Sequence, residues 1–164
     1  MSKKIKLLVV SLLLITACCF SVLGCNNVSV YHTVDFNSNG GTAVAQVEVL
    51  KDSTFEKPAD PTKVGYIFDG WYLGEEEYSF STPVNANITL DAKWAPATDT
   101  AYTVKHLLEN LDGTGYEEVV EDAETLQGTT DALTSAAAKS YEGFTAQTIA
   151  QVTIAPDGST VVEV

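Results

Sequence analysis

From Val28 onward the apolar residues of this chain fall on every second position. Val28, Val30, His32, Val34 and Phe36 share one face, with Ser29, Tyr31, Thr33 and Asp35 opposite. A period of two marks a half-buried strand. The pattern breaks at Asn37–Thr42 and resumes with Ala45, Val47 and Val49 set against Gln46 and Glu48. Two alternating runs about a short Asn/Gly-rich segment predict a hairpin. Next, Pro58 and Pro61 exclude a central strand and allow only a short helix or turn. Tyr66–Leu73 is dense in aromatics and broken by Gly70. A polar turn over Gly74–Glu77 precedes Ile88, Leu90, Ala92 and Trp94, which alternate again.

After the small, proline-containing stretch 95–100, the pattern restarts. Tyr102, Val104, His106 and Leu108 share a face, Leu111–Gly115 turns the chain, and Tyr116–Val120 pairs back. The strongest helical composition lies around Ala132–Lys139, and Pro156-Asp157-Gly158 predicts the turn of a terminal hairpin. Both halves thus follow one plan: a hairpin, a helical or proline-bearing connection, and an aromatic strand after glycine. Lys63-Val64-Gly65-Tyr66 corresponds to Tyr141-Glu142-Gly143-Phe144, and the starting tyrosines, Tyr31 and Tyr102, stand 71 positions apart. Two small β-rich modules in series are expected, 30–95 and 101–164, joined by a linker at 96–100.

The first 25 residues change the picture of location. Lys3, Lys4 and Lys6 precede an apolar run, Leu7–Ile15, and then small residues and cysteine. This is the layout of an export signal, and the run is short for a permanent span, which needs about 20 residues. Val22-Leu23-Gly24-Cys25 resembles a bacterial lipobox, which implies acylation of Cys25; Cys18, after Ile15-Thr16-Ala17, is the alternative. Residues 26–29 would then form a tether. The chain is expected to be exported and lipid-anchored to the bacterial cell membrane or outer membrane, facing outside. All three cysteines lie at or before position 25, so the remainder holds no disulfide, thiol nucleophile or cysteine-ligated metal.

Charge narrows the partners. Six lysines and no arginine face 22 acidic residues beyond position 25, a balance of −16. Binding nucleic acid requires cations that displace counterions from phosphates, so a nucleic-acid partner is not expected. Membrane contact is expected through the lipid anchor only.

Candidate chemistry is sparse. Phe36–Thr42, FNSNGGT, offers glycines, but a phosphate loop must feed a helix N-terminus and these glycines lead into another strand. The expected role of Asn39, Gly40 and Gly41 is to supply positive φ for a turn. His32 and His106 each sit mid-strand, and no Ser/His/Asp spacing suggests a nucleophile. The acidic runs Glu75–Glu77 and Glu117–Glu124 lack the spacing of a calcium loop and read as solvated surface, with a weak divalent-ion site as the other possibility. No cofactor, metal site or catalytic residue is expected, and the protein is not expected to be an enzyme. Trp71 and Tyr72 must point to opposite sides of a strand, so one of them can face outward as a ligand or interface residue.

The first half also resembles a known family. Phe36 with Asn39-Gly40-Gly41, the run Pro58–Tyr72 with Gly65-Tyr66, Phe68 and Gly70-Trp71-Tyr72, and the closing Ile88-Thr89-Leu90 with Ala92 and Trp94 are similar to the Listeria–Bacteroides repeat, or internalin B-repeat. Residues 101–164 resemble mucin-binding-protein-like surface repeats through YTVKHLLENLDG, LQGTT, YEGF and DGSTVV. These resemblances imply two tandem β-grasp, ubiquitin-like modules, hence an α+β, β-rich fold. They also imply adhesion to an extracellular protein or glycan. The alternative is a structural spacer, or a fragment of a repeat array with no ligand of its own.

Overall fold

The computed structural model describes residues 28–164. Cys25 and Cys18, with the expected export signal and the first two residues of the expected tether, lie outside the described residues.

The first half builds a five-stranded sheet. β1 (Tyr31–Asn37) pairs antiparallel with β2 (Val47–Leu50) and parallel with β5 (Ile88–Pro96). β5 in turn pairs antiparallel with β3 (Tyr66–Leu73), which carries the two-residue β4 (Glu76–Glu77) on its far edge. The order is β2-β1-β5-β3-β4. The alternation read from the sequence holds within the strands, where Val34, Val49, Leu90 and Ala92 are buried, but Val28, Val30 and Ala45 precede the strands and are exposed. Gly70 does more than interrupt β3. The register shifts between Phe68 and Gly70, so a bulge inserts one extra residue. That insertion lets Phe68 and Trp71, three positions apart, enter the same core.

Neither expected helix forms, and here the α+β, β-grasp expectation is corrected. The only helical element among the described residues is a single 3-10 turn, Val120–Asp122. The other elements are strands, so the fold is β-rich without an α-helical layer. In the first half, irregular chain closes the core. Residues 51–65 cross it with Ser53 bridged to Val84: Val84 N–H donates to Ser53 O at 2.9 Å, and Asp52 N–H donates to Val84 O at 3.0 Å. Phe55 inserts edge-on to Phe36 and Phe80 and stacks with Tyr78 at 6.1 Å. Aromatic area thus covers the sheet where a short helix or turn was expected, and two prolines that donate no hydrogen bond ease the irregular path.

The second half has a smaller sheet, β10-β6-β9. β6 (Thr100–Lys105) pairs antiparallel with β9 (Glu124–Gly128) and parallel with β10 (Val161–Glu163). A separate hairpin joins β7 (Leu107–Glu109) to β8 (Tyr116–Glu118). Tyr102, Val104, Ala136, Ile154 and Val162 form a core that shares no residue with the first.

The alanine-rich stretch 132–139 is extended, with Thr134 and Ala136 buried in alternation. Its backbone finds partners a helix would have supplied: the Gln151 amide accepts from Ala136 N–H at 3.0 Å and donates to Ala136 O at 2.9 Å. Eight residues are too few for a stable isolated helix, and the glutamine favours the extended form. The terminal hairpin is also corrected. The chain turns at Ala155–Gly158, but Val161–Glu163 pairs with β6 and not with the preceding arm. Phe144, expected to open a strand, begins none.

The expected linker, 96–100, shortens to three residues: β5 ends at Pro96 and β6 begins at Thr100. The three residues between are braced. Ala97 donates its N–H to Gly65 O and accepts from Thr130 N–H, both at 2.9 Å. Tyr66 Oη donates to Asp131 Oδ2 at 2.6 Å, and Gly65, at φ +75°, lies so close to Pro156 that a Cβ would collide with it.

Candidate functional site

The glycine-rich turn resolves as architecture. Asn39 (φ +46°) and Gly40 (φ +87°) take the left-handed conformation, and Gly41 N–H bonds Ser38 O at 2.9 Å. The Asn39 amide donates to Ala92 O at 2.8 Å, and Trp94 Nε1 donates to Ser38 O at 3.0 Å. A Cβ on Gly41 would strike the Trp94 ring and the Thr62 carbonyl. A lysine does reach this turn, and it is Lys63. Its ammonium bonds Asn39 O at 3.2 Å and lies 4.3 Å from the Tyr66 ring centroid. The repeat's signature residues therefore hold one another.

Trp71 and Tyr72 do point to opposite sides. Trp71 is 1 % exposed, edge-on to Phe36 at 4.9 Å and Phe68 at 5.5 Å. Any ligand contact by the pair therefore falls to Tyr72. Tyr72 lies half-buried on the outer face of the sheet, with the Lys93 ammonium 4.1 Å from its ring centroid and its hydroxyl bonded to Asp69 Oδ2 at 3.0 Å. That bond to Asp69 holds the Tyr72 phenol above its ordinary pKa.

A polar cluster in the second half went unread in the sequence. His106 follows β6 and is 1 % exposed, and its Nε2 has no hydrogen-bond partner. The nearest carboxylate oxygen, Glu124 Oε2, is 3.9 Å away, too far for a hydrogen bond. Around it, Lys139 Nζ bonds Asp122 Oδ1 at 3.2 Å, Asp122 O at 2.9 Å and Glu124 Oε1 at 3.1 Å. Tyr141 Oη donates to Asp122 Oδ2 at 2.7 Å. The Tyr141 bond, then the Lys139 bond, hold the Asp122 carboxyl below its ordinary pKa, and the bond to Glu124 is the first cause that raises Lys139. The acidic stretch is thus only partly solvated surface: Glu118 pairs with Lys105 at 2.8 Å, and Asp122 and Glu124 pair with Lys139. The one signal available was a lysine in an otherwise acidic region. His32 Nε2 is likewise buried without a partner, in the other half. Among the described residues no group of three His, Cys, Asp or Glu is placed to hold a metal ion, and no helix is long and apolar enough to cross a membrane.

Beside the cluster lies a concavity of about 860 Å³, within the range of ligand sites. Its apolar wall includes Leu108, Leu111, Phe144 and Ile149, and its carboxylates are Glu109, Glu142 and Glu163. Leu111 is fully exposed and Phe144 is 41 % exposed. The groove lies where β6 gives way to His106 and β7, the end of β6 remote from the junction at Thr100. No composition or spacing signal in the sequence pointed to it.

Two relatives, both from Evansella cellulosilytica, match the first half. One, named as a proposed Gly-rich membrane protein, is 43 % identical over 67 residues, 38 % of this chain and 8 % of its own length. The other, named as a proposed membrane protein, is 44 % identical over 68 residues, 39 % of this chain and 10 % of its own. The chain therefore spans about a tenth or less of these relatives. No solved structure gives a significant match. The family comparison matches residues 32–93, which contain the Asn39–Gly41 turn, the Phe68–Trp71 bulge and β5 up to Lys93, to the Listeria-Bacteroides repeat domain.

Proposed function

We propose that this chain is a non-enzymatic, surface-associated repeat protein of a bacterium. It is held at its N-terminus by a lipid on Cys25, with Cys18 as the alternative, and its second-half groove binds an extracellular protein or glycan. The observation that carries this reading is the position of the groove. The chain enters β1 at Tyr31, at the end of the first sheet away from the braced junction, and the groove lies at the end of β6 away from it. β6 spans six residues, roughly 20 Å of strand between junction and groove. The groove thus sits at the opposite end of the described residues from the start of β1.

Three features support this assignment. Residues 32–93 are a repeat whose matched relatives carry membrane-protein names. Two polar lining groups are committed to the adjoining cluster: Lys139 to Asp122 and Glu124, and Tyr141 to Asp122. His106 is closed to solvent, which leaves it unsuited to general-base work on a bound substrate. The braced junction at Gly65, Ala97 and Pro156 favours a second reading, a stiff spacer without a ligand.

The test is an array of extracellular proteins and glycans probed with the full chain. Specific binding supports the adhesive reading, and a blank result on both arrays leaves the spacer. Fatty-acid labelling in wild type, Cys25→Ala and Cys18→Ala tests the anchor; label retained in both variants would remove it.

A further inference from the structure

The two halves share a strand arrangement that the second does not complete. In each, the first strand (β1, β6) lies between an antiparallel neighbour (β2, β9) and a parallel one (β5, β10). In the first half β5 goes on to pair with β3; in the second, β10 ends the sheet among the described residues. The turns that would launch the next strand match. Tyr66 N–H bonds Lys63 O at 3.1 Å with Gly65 at φ +75°, and Phe144 N–H bonds Tyr141 O at 3.2 Å with Gly143 at φ +82°. After the first turn the chain joins the ladder. After the second it runs along the groove wall without pairing.

The β10 edge carries unused hydrogen-bonding groups. Thr103 N–H bonds Thr160 O at 2.9 Å, and Val164 N–H bonds Lys105 O at 2.8 Å, so residues 160, 162 and 164 turn their backbone toward β6. Val161 and Glu163 turn theirs the other way, and no partner meets them among the described residues. Glu163 also lines the groove. Such an edge is a template for an added strand. The lining carries Glu109, Glu142 and Glu163, while its one cation, Lys139, is bonded to Asp122 and Glu124.

From this edge and this charge we infer that the groove takes an extended peptide segment of another protein, with lysine or arginine side chains, which adds as a strand along Val161–Glu163. This rests on the binding reading above and narrows its ligand to a cationic, extended polypeptide. Backbone pairing supplies attachment, the three carboxylates select positive side chains, and Leu108 and Phe144 receive the alternate apolar ones.

The experiment is a nuclear magnetic resonance titration of the isotope-labelled full chain with a hexapeptide of alternating lysine and valine. The control peptides replace lysine by glutamate or N-methylate the edge-facing amides. The expected result is binding of the lysine peptide alone, with amide exchange at Val161 and Glu163 slowed by about tenfold or more. Val162 and Val164, already bonded to β6, should not change. Glu163→Lys, an exposed substitution, should weaken the lysine peptide by about tenfold, and added salt should weaken it further. Absence of binding overturns the inference, as does binding that leaves the Val161 and Glu163 amides unaltered or that tolerates N-methylation. An array hit accompanied by either result would preserve the adhesive function while discarding strand addition.

Discussion

The Tyr66 hydroxyl reaches Asp131 across 65 residues of sequence and bonds it at 2.6 Å, tying a strand of the first half to the second. With Gly65 against Pro156 and Ala97 bonded on both sides, the joint between the halves is a packed contact. Gly65→Ala should disrupt it, since the added Cβ meets Pro156 and the left-handed backbone costs about 1–2 kcal/mol for a non-glycine residue. Relaxation measurements on the two halves should report one tumbling time in the wild type and two in Gly65→Ala.

That joint also carries a pH signature. The bond to Asp131 raises the Tyr66 pKa, so its contribution is fully present below the ordinary tyrosine value of about 10 and is lost as pH rises through the higher folded value. Tyr66→Phe should therefore change the coupling of the halves at neutral pH and match the wild type above that value. Tumbling times measured across pH 7–12 would check this.

Trp71 and Tyr72 should separate sharply in stability. Trp71→Ala empties a site ringed by Phe36 and Phe68 and should cost about 3–5 kcal/mol in chemical denaturation of the first half. Tyr72→Ala removes an outward ring and should cost far less. Equal losses would mean that the bulge at Phe68–Gly70 does not set the facing of this strand.

The Lys139 cluster predicts a second pH dependence. The Asp122 pKa is lowered, chiefly by Tyr141 and then by Lys139, so its stabilisation is present above about pH 4 and disappears as pH falls through the lower folded value. Tyr141→Phe should be less stable than wild type at pH 7, with the difference closing toward pH 2. A gap that stays constant with pH would remove the Asp122–Tyr141 bond as its cause.

Much of the strand order was legible because alternation reports a sheet with one buried face. Val34, Leu90, Ala92, Tyr102 and Val104 are buried where the period of two placed them. The Asn39–Gly41 turn was legible because left-handed backbone favours few residue types. The expected helices failed for physical reasons that composition does not carry. Gln151 supplies Ala136 with backbone-like partners from 15 positions away, and Phe55 covers the first core as a single inserted ring. The groove and the His106–Lys139 cluster escaped because each joins residues separated in sequence, brought together only when β6, β9 and the 138–149 segment meet.

Array binding by surface variants decides whether the groove binds a partner. The full chain, Phe144→Asp and Tyr72→Ala would be compared on the same protein and glycan arrays, with folding checked by denaturation. A specific partner should be retained by wild type and Tyr72→Ala and lost by folded Phe144→Asp. Blank arrays for all three, or a partner lost by Tyr72→Ala and kept by Phe144→Asp, would contradict binding at the groove.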